Sequence, residues 1–147
     1  MIRIVVDGAP IDVGAECALV ERDAGGGAVA TFTGLVRADD GVATLELEHY
    51  PGATEAALRR LGEDAAARWN LGAATIVHRV GAMAPGERIV FVAAAAAHRA
   101  AALEACAYLI DRLKTDAPFC KRETRGERST WVEPRAGDTA AVERWGG

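Results

Sequence analysis

Apolar positions along the chain recur with two periods, one of two residues and one near 3.6, and these periods divide it into elements. Ile2 to Val6 is a short β-branched run that reads as a strand. Asp12 stands where a side-chain oxygen can cap a short helix through Ala15, Leu19 and Val20. Gly25-Gly26-Gly27 is a loop, and it lacks the following Gly-Lys-Ser/Thr of a phosphate-binding P-loop. Ala28 to Val36 predicts a strand and Arg37-Ala38-Asp39-Asp40-Gly41 a polar turn. From Val42 to Tyr50 the chain alternates, with Leu45, Leu47 and His49 on one side and Glu46, Glu48 and Tyr50 on the other. These two runs are expected to form an antiparallel hairpin.

Pro51-Gly52 breaks that pattern, and Thr54 to Trp69 takes up helical spacing through Ala57, Leu58, Leu61, Ala65 and Trp69. Ala74 to Val80 and Arg88 to Ala97 predict strands joined across Pro85-Gly86. His98 to Lys114 predicts the longest helix, with Leu103, Ala107, Ile110 and Leu113 as its apolar stripe and Pro118 just beyond its end. Phe119 to Thr124 and Thr130 to Glu133 predict late strands, and the polar tail from about Ala136 is expected to be poorly ordered. Short turns join neighbouring strands and helices interrupt the pairs. The expectation is one α+β domain spanning 1–147, a mostly antiparallel sheet covered by helices. A doubly wound fold needs a strict strand–helix alternation that is absent.

Composition narrows the function. Hydrophobic residues make up 50 %, enough for a core, although much of that share is alanine. The formal net charge is −4, which disfavours a general nucleic-acid binder, so any anion site must be a local cluster of cations. Cys17, Cys106 and Cys120 form no C-x-x-C pair, and His49, His78 and His98 are scattered, so neither a disulfide framework nor a metal site is expected. Asp7 comes too early for a secretory leader and no apolar run could span a bilayer. The default reading is a cytoplasmic protein with no membrane partner.

Three segments could carry chemistry. In Phe32-Thr33-Gly34-Leu35-Val36-Arg37, Gly34 permits a bulge or close backbone approach, and Arg37 at the strand end could grip a phosphate or carboxylate with two prongs. A solvated arginine beside Asp39 and Asp40 is the competing account. His98-Arg99 opens a helix, where the dipole opposes cations, so an anionic ligand or a nearby glutamate must explain them. Lys114 ends that helix. Beyond Pro118 the chain is extended, which puts Phe119, Lys121 and Glu123 on one face. Two ammonium groups meeting there would depress one pKa and make a base or nucleophile; two solvated lysines are the alternative.

Taken together the segments resemble the large, catalytic subunit family of molybdopterin synthase. The resemblance rests on Phe32-Thr33-Gly34 with Val36-Arg37, Leu47-Glu48-His49-Tyr50-Pro51-Gly52, Val77-His78-Arg79-Val80-Gly81, Pro85-Gly86-Glu87, Ala97-His98-Arg99, Leu113-Lys114-Thr115, Ala117-Pro118-Phe119, Lys121-Arg122-Glu123 and Trp131-Val132-Glu133. It implies the family's α/β hammerhead fold and a reaction: sulfur passes twice from the C-terminal thiocarboxylate of a small carrier subunit to cyclic pyranopterin monophosphate (precursor Z), making the dithiolene of molybdopterin. It further implies Lys114 and Lys121 as catalytic residues. Val36, Arg37, His98, Arg99, Lys114, Lys121, Arg122 and Glu123 become the substrate contacts. No metal or cofactor is implied. The implied partners are a carrier ending in Gly-Gly and a second copy of this chain, together a heterotetramer. A non-catalytic partner-binding module of the same fold is the alternative, although it would be expected to lose a lysine or Arg37.

Some positions depart from the family pattern. Leu35 stands where some members carry lysine, Cys120 where tryptophan or another large apolar residue is common, and Arg125 to Ser129 looks like an insertion. The terminal Gly146-Gly147 looks like a carrier's ending, but no ubiquitin-like domain leads into it. Finally, His98 and Lys114 fall at opposite ends of one predicted helix, roughly 24 Å apart at 1.5 Å per residue. With no Pro or Gly between Arg99 and Lys114 to break the helix, a site containing both residues would need two copies of the chain.

Overall fold

The computed structural model describes residues 1–38, 41–132 and 145. The elements are β1 (Ile2–Asp7), α1 (Val13–Ala24), β2 (Ala28–Leu35), β3 (Thr44–His49), α2 (Ala53–Trp69), β4 (Ala73–Arg79), β5 (Gly81–Met83), β6 (Arg88–Ala96), α3 (Arg99–Asp116), β7 (Phe119–Arg125) and β8 (Arg128–Val132). They build two four-stranded sheets, ordered β1-β4-β6-β2 and β5-β3-β7-β8. Only the β1–β4 pair is parallel, so the α+β, mostly antiparallel expectation holds, with two sheets where one was expected.

The predicted hairpin of β2 with β3 does not form. β2 pairs with β6, Ala28 opposite Ala96, whereas β3 pairs with β5 and β7. The cause lies in the connection, which has no two-residue turn to force the strands together. Instead the Val36 N–H donates to the Glu87 carbonyl and the Val36 carbonyl accepts from Gly86 N–H, both at 2.8 Å. These bonds tie the exit of β2 to the turn before β6, and at the far end Ala43 N–H donates to Thr124 of β7. Gly34 does mark a bulge: the register shifts between Gly34 and Leu35, and a Cβ at Gly34 would lie 2.7 Å from Val90 Cγ1. The short β5 escaped the sequence reading because Gly-Ala-Met carries no strand signal. It carries the chain from the first sheet into the second through Gly81 at φ +94.

The first sheet lies between helices. Phe91, Ala93 and Ala95 of β6 pack with Val20 of α1 on one face, while Val90, Val92, Ala94 and Ala96 join Leu58 and Leu61 of α2 and Leu109 of α3 on the other. The alanine that weakened the compositional case thus lets helices approach both faces closely. It also shifts the stripe of α3. Leu103 is 62 % exposed, and the face laid on the sheet is Ala102, Ala105, Cys106, Leu109 and Leu113. Asp12 caps α1 as predicted, its side chain accepting from Ala15 N–H at 3.0 Å. Arg125 to Ser129, which resembled an insertion, forms the hairpin end of β7 and β8, with Gly126-Glu127 as its tight turn and Gly126 at φ +59. Glu133 and the tail from Ala136 lie outside the described residues except Trp145, which packs edge-on against Trp69 and Tyr108 and donates to Asp111 at 2.7 Å.

Candidate functional site

The site grows from the break between α3 and β7. The helix stops at Asp116, Ala117 is already extended, and Pro118 forbids a return to helix. Thr54, wholly buried in the first turn of α2, fastens this corner: its Oγ1 donates to the Pro118 carbonyl at 2.8 Å and accepts from Tyr50 N–H at 2.9 Å. The corner aims β7 along β3, with Phe119 opposite His49, Lys121 opposite Leu47 and Glu123 opposite Leu45. Opposed residues share a face, and Leu47 and Leu45 are buried. Lys121 therefore stands on the inward side with Phe119 and Glu123, as its alternation predicted. Glu123 accepts from Arg125 at 2.8 Å.

His78 at the end of β4 connects this face to the first sheet. Its ring stacks on Phe119, centroids 4.1 Å apart. Burial pulls its pKa down to about 4; the Arg79 carbonyl works against this, and the charges of Lys114 and Lys121 add to it. One buried ring thus feels both lysines. Lys114 lies in the last turn of α3 and Lys121 near the start of β7, on either side of the Pro118 corner. The sequence reading missed His78, which it set aside as one of three scattered histidines. The available signal was a histidine following the apolar run Ala74 to Val77, in a strand otherwise made for a core.

The remaining candidates divide. Val36 is buried, with both backbone groups bonded inside the fold, and it delivers Arg37 to the surface. Arg122 points to the opposite face from Lys121. There it donates to Glu46 at 2.6 Å and lies over Trp131, 5.5 Å from the ring centroid, so its side chain is not gathered with the lysines. Cys120 shares that outer face, its Sγ 2.9 Å from the Tyr50 hydroxyl. His98 is the N-cap of α3 and Arg99 its first residue, both exposed. The helix runs unbroken for 18 residues, which keeps His98 and Lys114 of one chain roughly 24 Å apart. Among the described residues no three His, Cys, Asp or Glu side chains stand together as a metal site, and no helix is long and apolar enough to cross a membrane.

Comparison with known proteins places the chain in a family. The family described as "MoaE protein" matches residues 6–116. The molybdopterin synthase catalytic subunit of Escherichia coli K12 is 50 % identical over 147 residues, covering 97 % of each chain. That of Caulobacter vibrioides is 56 % identical over 120 residues, covering 81 % of this chain and 80 % of the relative. Among solved structures, the molybdopterin biosynthesis MoaE protein of Burkholderia ambifaria superposes with a TM-score of 0.86 at 45 % identity, covering 100 % of this chain and 99 % of the other. With a family match over residues 6–116 and similarity along nearly its whole length, the chain belongs to the MoaE family.

Proposed function

We propose that this chain is the catalytic subunit of a molybdopterin synthase, transferring sulfur from a carrier's C-terminal thiocarboxylate to cyclic pyranopterin monophosphate to form the dithiolene. The observation that carries the reading is the Pro118 corner, where Lys114 ends α3 and Lys121 follows on the inward face of β7, two residues beyond the Phe119 that stacks on His78. Two cations at a half-buried corner can bind an anionic pterin, stabilise an oxyanion as sulfur attacks, and hand protons to a leaving oxygen. Arg37, His98 and Arg99 suit the phosphate. No cofactor takes part: the pterin is the substrate, and the partner supplies the sulfur. The setting is the cytoplasm, where a thiocarboxylate and free cysteines persist. The test is dithiolene formation from precursor Z with a thiocarboxylated small subunit. No product from a folded pair of chains would favour a non-catalytic binding module.

The small subunit's extended Gly-Gly tail suits a narrow approach to the lysines, because a chain without side chains can enter where others cannot. Removing those two glycines is expected to abolish transfer while leaving docking largely intact.

A second copy of the chain completes the site in this reading. The unbroken α3 supports it, since His98 and Lys114 of one chain cannot reach one small pterin. So does the edge strand β2, last in its sheet, beside which Phe32, Leu35 and Leu103 are exposed. Two such dimer-forming chains with two carriers make a heterotetramer. Mixed dimers test the arrangement. A His98→Ala/Arg99→Ala chain combined with a Lys121→Ala chain, each inactive alone, should regain activity, because one site in each heterodimer is then wild type. Continued inactivity in verified heterodimers would place the whole site within one chain.

A further inference from the structure

The reaction as described gives the buried imidazole of His78 no task. His78 is 6 % exposed and sits opposite Val6 of β1 and Val90 of β6. An apolar side chain would fill that position more readily, since a buried imidazole must keep its polar atoms paired and forgo its charge. The surroundings meet both demands in a particular way. Nδ1 lies 3.0 Å from the Arg79 carbonyl. A carbonyl only accepts, so the proton of the neutral ring is on Nδ1 and Nε2 carries a lone pair. Phe119, stacked at 29° between planes, sets the orientation of the ring. Burial, aided by Lys114 and Lys121, keeps the ring uncharged near neutral pH. Nε2 thus carries a lone pair on an oriented ring, and Lys121 stands two residues along β7 from the stacked Phe119, on the same face of the strand.

We propose that His78 is a positioning residue for the lysine pair, its Nε2 accepting a hydrogen bond from the ammonium of Lys114 or Lys121 and so holding the two amines at fixed, separate points around the pterin. The proposal rests on the assignment of these lysines as the catalytic amines. The interaction makes and breaks no covalent bond. A charged histidine would instead repel both groups, so the neutral state is required for the role. Arg79, next in the chain, turns to the Gly8 carbonyl and toward Glu87, and its own carbonyl takes the Nδ1–H. The fold thus provides separate partners for the neighbouring polar groups.

Two variants of the full chain, assayed with the small subunit, separate positioning from packing. His78→Phe keeps the ring stack and the volume but removes the acceptor, while His78→Gln keeps an amide acceptor and a donor for the Arg79 carbonyl. His78→Phe is expected to lower kcat on the order of 100-fold, the cost of misplacing a reacting group by about 1 Å. KM for the pterin should stay within about twofold, since ground-state binding is not what is lost. His78→Gln should recover about tenfold of the lost kcat. A folded His78→Phe enzyme with wild-type kcat overturns the proposal.

Nitrogen NMR of the imidazole gives an answer that needs no turnover and no His78 variant. Nε2 is expected to be the unprotonated nitrogen, and its resonance should move in Lys114→Met or Lys121→Met. An Nε2 signal indifferent to both replacements overturns the proposal even if His78→Phe fails to fold. Should the wild-type pair make no dithiolene, the sulfur-transfer reading falls, while the NMR result still decides whether His78 holds a lysine.

Discussion

The two sheets share a core and differ in what they carry. In the first, Ile89 to Ala96 of β6 and Ala73 to His78 of β4 are buried, and the only titratable side chain in those stretches is His78. In the second, β3 buries Leu45 and Leu47 and turns Glu46 and Glu48 outward, while every residue of β7 is half-buried, including Lys121, Arg122, Glu123 and Arg125. A sheet covered on both faces is stiff and chemically silent; one covered on a single face can hold charge without desolvating it fully. The candidate site lies where they meet, at the contact of His78 with Phe119. The second sheet supplies a reactive group, and the first supplies the fixed surface against which it is placed.

The largest expected effect falls on the second sheet. Lys121→Ala should lower dithiolene formation about 1000-fold or more, equivalent to roughly 4 kcal/mol of transition-state stabilisation, with little change in melting temperature. Lys114→Ala should lower it strongly but less, since it sits at the exposed helix end. Single-turnover assays with thiocarboxylated partner read both. Full activity in a folded Lys121→Ala enzyme would remove the second sheet from the chemistry.

The first sheet should respond in the opposite way. Phe91 of β6 is fully buried among Ile11, Val20 and Val77 beneath α1. Phe91→Ala should cost about 3 kcal/mol of stability through lost burial and a residual cavity. Turnover per folded molecule should stay near wild type, because α1 and its side of the sheet face away from the lysines. Denaturant unfolding alongside active-site titration separates the two quantities. A fall in kcat matching the fall in stability would mean that the two sheets are not divided by task.

The amount legible in the sequence followed the same division. β6 and β4 were plain from their unbroken apolar runs, and Asp12 and Pro118 marked helix ends by local stereochemistry alone. The side of β7 on which Lys121 stands followed from alternation. Sheet partnership was not legible: β2 and β3 alternate like a hairpin, and only the long-range bonds of Val36 to Glu87 and Gly86 send them to different sheets. The face of α3 was misread at its start, where Leu103 suggested the stripe whereas the alanine-rich sheet takes the small Ala102, Ala105 and Cys106; Leu113 was placed correctly. His78 was invisible as a site residue because its meaning comes from Phe119, Lys114 and Lys121, all more than thirty positions away. Family resemblance supplied the roles of Arg37, His98 and Arg99, which spacing left open.

The smallest effect is expected on the outer face of the second sheet, at Cys120. It opposes Glu48 across the β3–β7 pair and alternates with Lys121, so its thiol points away from the inward face. Its Sγ meets the Tyr50 hydroxyl at 2.9 Å, and that hydrogen bond holds the phenol above its usual pKa. A thiol bonded to a phenol on the opposite face of the strand from Lys121 is placed for packing and not for relaying sulfur. A serine hydroxyl can make the same bond at this half-exposed position. Cys120→Ser should therefore keep activity within about twofold and stability within about 0.5 kcal/mol, the usual range for a surface exchange that preserves its partner. Mass spectrometry of the enzyme during turnover should find no persulfide on Cys120. Loss of sulfur transfer in a Cys120→Ser enzyme of normal stability would show that the outer face takes part in the reaction.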